Sequence, residues 1–177
     1  MVNNMFSTED KKYMRLALKE AELAYKRDEY PVAAVLAIDG KLIGKGINSL
    51  VSSSEGITHA EMNLIKMYSS LIIKSRSEGK TVVLYTTLEP CLMCLGTSVL
   101  HKISKIVYAS KDPDGGATNL FKKKLTGYYA RKWPMIEGGL YQRESYVLLM
   151  KFLDKQTSPG WIAVRDNLKK LNSKMTK

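Results

Sequence analysis

The two cysteines of the chain, Cys91 and Cys94, stand three residues apart directly behind Pro90, and few patterns restrict local structure and chemistry as much. Proline is favoured at the first position of a helix, where its missing N–H costs nothing. The sequence therefore predicts a helix that opens at Pro90 and runs through Leu95 to about Leu100. Residues three apart share a face of such a helix, and the positive end of the helix dipole lowers the pKa of thiols held there. Two thiolates on one first turn make half of a metal site, which zinc can fill once a nitrogen ligand arrives from elsewhere.

A chain of 177 residues can bury the core of one domain without staples. Residues 1–156 are read as that domain and residues 157–177 as a basic helical extension of it. Hydrophobic residues make up 45% and charged residues 25% of the chain, as in soluble globular proteins, and no apolar run approaches the roughly 20 residues of a membrane span. Met1-Val2-Asn3-Asn4 opens nothing like a secretion signal. Two cysteines this close are a poor disulfide framework, and a reducing compartment keeps them as metal ligands or a redox pair, so the cytoplasm is the expected address and no membrane partner is expected. The net charge of +11, with clusters at Lys122-Lys123-Lys124 and at Lys169, Lys170, Lys174 and Lys177, suits a polyanionic partner such as RNA; a well-solvated surface accounts for it equally.

Ser7 followed by Asp10 marks a helix start, and the stripe Met14, Leu16, Ala17, Leu18, Ala21, Leu23 and Ala24 carries the helix to about Arg27. Pro31 to Ile38 reads as a buried strand, Asp39-Gly40 as a hairpin turn, and Lys41 to Ile47 as its partner. A polar loop, Ser49 to Gly56, follows Asn48. Thr58-His59-Ala60-Glu61 opens a helix into the early seventies, and Thr58 with Glu61 fits a capping box. After a polar break from Ser75 to Lys80, the β-branched run Thr81 to Thr86 is a strand aimed at Pro90. Lys105 to Ala109 is a further strand, so strand, helix and strand make a parallel crossover. Met135-Ile136-Glu137 fits a fifth strand, Tyr141 to Gln156 a helix, and Trp161 to Leu171 a final short helix behind a Pro159-Gly160 break.

His59 and the cysteine pair each sit at a predicted helix start and together give one nitrogen and two sulfurs. A structural zinc site is closed by four protein ligands, but this chain has no third cysteine and only His101 as another histidine. Three ligands leave a vertex for water, the catalytic arrangement, and a carboxylate must then handle the proton of that water. Glu61 lies two residues after His59, about 200° around an ideal helix, a spacing that disfavours it as a second ligand of the same ion and permits it as the base beside the water if the metal lies across the helix mouth.

His59-Ala60-Glu61, followed after Met62 through Glu89 by Pro90-Cys91-Leu92-Met93-Cys94, resembles the signature of the zinc-dependent cytidine and nucleobase deaminase superfamily. Within it, Pro31 to Leu36, Gly46-Ile47-Asn48, Thr58 to Glu61, Leu84 to Cys91 and Lys111 to Ala117 are most similar to bacterial tRNA adenosine deaminases, over roughly Thr8 to Phe152. The resemblance implies a three-layer α/β/α sandwich around a five-stranded mixed sheet. It implies one zinc per chain on His59, Cys91 and Cys94, Glu61 as the catalytic proton carrier, and usually a homodimer. It places Asn48 and the Ala60 backbone against the base and Asp112 beside flanking nucleotides of tRNA. Ala33, Leu92 and Thr118-Asn119-Leu120 depart from the family pattern, and guanine deaminases share the Asn48, His-Ala-Glu and Pro-Cys-x-Met-Cys features. A free nucleobase or nucleoside deaminase therefore stays open beside the tRNA reading, as do a zinc-bearing nucleic-acid-binding protein and a thioredoxin-like Cys91/Cys94 pair. Tyr128, Tyr129 and Trp133 suit packing at a core or dimer contact better than stacking on bases. His101 is assigned no role.

Overall fold

Ser7 caps the first helix as its sequence predicts: its Oγ accepts from Asp10 N at 3.0 Å while Asp10 Oδ2 accepts from Ser7 N at 2.9 Å. The computed structural model describes residues 6–119, 125 and 127–175. Its elements run α1 (Thr8–Lys26), β1 (Ala33–Ile38), β2 (Lys41–Ile47), α2 (Leu50–Ser53), α3 (Ala60–Ser77), β3 (Val82–Leu88), α4 (Leu92–Leu100), β4 (Lys105–Ser110), α5 (Gly127–Lys132), β5 (Met135–Gly138), α6 (Gln142–Leu153) and α7 (Pro159–Met175).

Asp39 and Gly40 take φ of 46° and 74°, the paired positive angles of a tight hairpin turn, and set β1 antiparallel to β2. The sheet order is β2-β1-β3-β4-β5, with β1 antiparallel to β3 and the last three strands parallel. All six residues of β1 are buried, because helices cover both faces. Alternation divides them: Ala34, Leu36 and Ile38 join Leu64, Ile65 and Ile72 of α3 and Leu95 of α4, whereas Val35 and Ala37 join Tyr13, Met14 and Ala17 of α1. The result is the expected three-layer sandwich around a five-stranded mixed sheet. Its two borders are β2, with Lys41 and Leu42 exposed and Lys45 paired to Glu20, and the four-residue β5.

Under the α1 face, Asp10 accepts from Lys105 Nζ at 3.0 and 3.1 Å and from the Tyr85 hydroxyl at 3.2 Å, and Lys105 also lies 2.8 Å from Glu137. On α7, Leu168 is buried against Met150, Phe152 and Leu153 of α6, with Trp161 and Val164 beside it. Among the described residues, no helix is long and apolar enough to cross a membrane.

Several boundaries differ from the sequence expectation. Cys91, rather than Pro90, precedes the cysteine helix as its N-cap, and α4 begins at Leu92 because Cys91 is still engaged in a bridge with Gly116. The Ser49–Gly56 loop contains the short helix α2. Helix α3 continues to Ser77, through a kink at Tyr68, so the expected break at Ser75 is confined to the turn after it, where Gly79 has φ of 79°. Helix α6 ends at Leu153, and α7 starts at Pro159, whose fixed φ suits a first helical position; Pro159-Gly160 opens the helix instead of breaking it. Trp133 packs against the core, while Tyr128 and Tyr129 are exposed. The clusters Lys122 to Lys124 and Lys177, and the opening Met1 to Asn4, lie outside the described residues, as does the side chain of Lys174.

Candidate metal centre and active-site pocket

The starts of α3 and α4 converge behind β3, and each presents its N-cap residue to the same point: His59 for α3 and Cys91 for α4, with Cys94 in the first turn of α4. Neither N-cap makes a side-chain capping bond, so both side chains are left for chemistry. His59 Nδ1 lies 3.6 Å from each sulfur, and the sulfurs are 3.5 Å apart. A tetrahedral ion with bonds of about 2.3 Å to sulfur and 2.0 Å to nitrogen requires edges of about 3.8 and 3.5 Å, so the three donors fit zinc. Their soft, borderline character suits the same ion.

The electrostatics divide the two sulfurs. The mutual hydrogen bond with Cys94 holds the Cys91 pKa down at about 4, and the His59 imidazole adds to this. The same bond, with burial and the nearby Glu61, pushes the Cys94 thiol up. The Cys91 hydrogen bond raises the pKa of His59.

The capping box expected of Thr58 and Glu61 does not form. The N-cap is His59, Thr58 Oγ1 donates to Glu55 O at 2.8 Å, and Glu61 turns inward. Glu61 is 3% exposed; its Oε1 accepts from Thr86 Oγ1 at 2.9 Å and its Oε2 lies 3.6 Å from Cys94 Sγ. Burial raises its pKa, although the Thr86 bond opposes the shift. A buried carboxyl with a raised pKa beside a metal triangle is suited to take up and return a proton.

A cavity of about 190 Å³ opens onto this point, lined by His59, Glu61, Cys91 and Asn48 together with Val32 and Leu88. Asn48 is buried at the end of β2; its N donates to Val32 O at 2.9 Å and its Oδ1 accepts from Leu50 N at 2.8 Å. Ala60 is fully buried in the first turn of α3, pressed so closely on β2 that a Cβ at Gly46 would sit 2.7 Å from Ala60 O. Asp112 also lines the cavity, but its Oδ1 is tied into its own loop by Asp114 N at 2.9 Å and Gly115 N at 3.1 Å, and burial raises its pKa. The structure thus brings Asn48, His59, Glu61, Cys91 and Asp112 to one cavity, with Cys94 and Ala60 behind it. His101 lies apart, bonded to Ser69 Oγ at 2.9 Å.

Other residues at the site escaped the sequence reading. Tyr30, Leu50, Glu89 and Trp161 complete the lining. Glu29 is buried and accepts from Val51 N at 2.9 Å and Ser52 N at 2.8 Å, bracing the loop behind Asn48. Glu89 is buried and accepts from Asp112 N at 3.1 Å and from the Thr118 hydroxyl, bracing the other side. Neither stands out in the sequence, Glu29 following Lys26-Arg27-Asp28 and Glu89 following Thr87-Leu88; only the backbone donors that the fold brings to each buried carboxylate reveal its role.

A sequence profile described as the cytidine and deoxycytidylate deaminase zinc-binding region matches residues 7–110. The chain is 35% identical over 145 residues to a tRNA-specific adenosine deaminase of Bacillus subtilis, covering 82% of this chain and 89% of that one. It is 38% identical over 149 residues to one from Streptococcus pyogenes, covering 83% and 92%. Its fold is similar to a tRNA:A34 deaminase structure from a study of A-to-I editing, with a TM-score of 0.60 and 31% identity over 77% of this chain and 98% of that one. A guanine deaminase from Nitrosomonas europaea, with a TM-score of 0.68 over 80% and 83% of the two chains, is 22% identical and shares the fold. The chain belongs to the cytidine and deoxycytidylate deaminase family and is a zinc-dependent hydrolytic deaminase.

Proposed function

We propose that this enzyme converts adenosine to inosine in tRNA, with His59, Cys91 and Cys94 holding zinc and Glu61 carrying the protons. The observation behind the chemistry is Glu61, buried, raised in pKa and fixed by Thr86 beside Cys94. The likeness to tRNA-specific adenosine deaminases over most of both chains supports the substrate. Zinc, when bound, supplies a Lewis acid that brings the pKa of water from 15.7 toward about 7. Glu61 takes one proton from the attacking water and delivers it to the ring nitrogen next to the amine-bearing carbon; it then takes the remaining proton of the added hydroxyl as the carbonyl forms and gives it to the departing amine, which leaves as ammonia. Water and adenosine give inosine and ammonia, and Glu61 ends as it began.

Asn48 Oδ1 is occupied by Leu50 N, which leaves the Nδ2 hydrogens as donors for a ring acceptor. The backbone of Ala60 supports the base from the first turn of α3. Asp112, held in its loop, faces the nucleotides beside the target. The free-base alternative draws on the cavity, whose volume of about 190 Å³ accommodates a base with or without a sugar outside it.

The test is inosine or ammonia formation by zinc-loaded protein against adenosine in an anticodon stem-loop, adenosine, adenine, guanine, guanosine and cytidine. Turnover of the stem-loop alone is expected. Turnover confined to free bases would remove tRNA and keep the deaminase.

The homodimer is supported by the exposed apolar face of α4, where Leu92 and Leu100 stand open beside a cleft lined by Leu95, Val99, Tyr129 and Trp133. Light scattering should give twice the chain mass, and Leu92→Glu should halve it. The unpaired thiols support a reducing compartment, the cytoplasm.

A further inference from the structure

Two aromatic side chains from opposite ends of the chain, Tyr30 and Trp161, line the same cavity as His59, Glu61 and Cys91. Trp161 belongs to the first turns of α7, beyond the stretch that matches the deaminase profile. Its ring centroid lies 4.9 Å from Tyr30 and 5.5 Å from Phe152, and Tyr30 and Phe152 are themselves 5.5 Å apart, so the three rings form a closed triangle. Tilted and edge-on contacts at these separations hold aromatic rings in place.

Helix α7 is fastened at two further points. Leu168 is buried against α6, and Asn167 Nδ2 donates to Asp114 Oδ1 at 2.8 Å, which ties α7 to the loop that carries Asp112. Trp161 and Asp112 thus reach the cavity on parts that are joined to one another. The cavity they bound, about 190 Å³, falls below the ~300 Å³ at which pockets for whole small-molecule ligands begin, and just above the ~150 Å³ that holds one benzene ring. Its walls admit one flat heterocycle and leave a sugar at the mouth, as an enzyme that works on an extruded nucleotide requires.

We infer that α7 forms the outer wall of the active-site pocket and that Trp161 is a specificity-determining residue that contacts the base. The inference rests on the deaminase reading above. Trp161 offers its π-face or edge to the heterocycle, and Tyr30 and Phe152 keep that ring from turning away. Burial, with the nearby charges of Asp112 and Asp114, raises the pKa of the Tyr30 phenol, so the wall remains uncharged.

The chain has two tryptophans, Trp133 and Trp161, so Trp133→Phe leaves Trp161 as the sole indole emitter without altering α7. Titrating that zinc-loaded variant with hypoxanthine, and separately with an inosine-containing anticodon stem-loop, should quench its fluorescence saturably. Absence of quenching by both overturns the proposal. In parallel, Trp161→Ala should raise KM about 10-fold while kcat changes by less than about 3-fold, within the range of one base–aromatic stack, and Trp161→Phe should keep KM near the wild-type value. Circular dichroism of Trp161→Ala checks that α7 persists; if it does not, the quenching result decides. Wild-type KM in a folded Trp161→Ala overturns the proposal while leaving the deaminase intact. Quenching in a protein that turns over no substrate supports the aromatic wall and removes the deaminase reading.

Discussion

Thr86 Oγ1 donates to Glu61 Oε1 at 2.9 Å between two buried side chains, so β3 and α3 are locked together at the carboxylate beside Cys94. Thr86→Val keeps the shape and removes the donor. A buried carboxylate deprived of a hydrogen bond costs about 1–3 kcal/mol, and kcat should fall about 10- to 100-fold with zinc content unchanged. Wild-type kcat in this variant would show that the bond has no part in catalysis.

Glu61→Gln preserves size and burial and abolishes proton transfer. Turnover should drop about 10²- to 10⁴-fold, with one zinc per chain still measured by atomic absorption. Loss of zinc along with activity would instead make Glu61 a ligand.

Because His59 and the two cysteines come from different helices, an ion joining them also joins α3 to α4. Chelation should lower Tm, zinc should restore it and magnesium should not, since magnesium prefers oxygen donors. Cys94→Ser should show little response to either treatment. An unchanged Tm on verified zinc removal would argue against this coupling.

The Asp10–Lys105 pair on the far face makes a pH-dependent contribution. Burial pushes the Asp10 carboxyl up, but the Lys105 and Ser7 hydrogen bonds outweigh it and hold its pKa below the ordinary 3.8. A depressed folded pKa means that the unfolded chain binds more protons as pH falls. The stabilisation is therefore full above pH 3.8 and lost as pH drops through the folded value. Asp10→Asn should cost about 1–3 kcal/mol in urea unfolding at pH 7, with the gap to wild type narrowing toward pH 3. A gap independent of pH would mean that packing, not charge, holds this corner.

A Cβ at Gly46 would meet Ala60 O at 2.7 Å and Leu64 Cβ at 3.0 Å. Gly46→Ala should displace the first turn of α3 with His59 and Glu61, lowering Tm by several degrees and weakening zinc binding. Wild-type zinc affinity would show that the turn can shift without moving its ligand.

The hairpin at Asp39-Gly40 and the buried β1 were legible because local turn chemistry and an apolar run each leave few alternatives. The metal triangle was legible because its donors are scarce residue types at fixed spacings. The start of α4 was not, since the pairing of Cys91 with Gly116 is a tertiary event that outweighs the preference of Pro90. Glu61 fitted a capping box as sequence, and only the approach of Thr86 redirects it. Tyr30 and Trp161 carry no pattern at all. They meet because α7 folds back on α6, a contact without periodicity in either segment.

The borders of the sheet limit what the molecule can become. A free strand edge is a template for another chain, and long flat edges recruit neighbours into fibrils. Here β2 offers Lys41 and the Glu20-paired Lys45, while β5 is four residues long. An incoming strand would meet an ammonium group on one side and run out of backbone on the other. Both margins of the five-stranded sheet therefore disfavour the addition of a sixth strand.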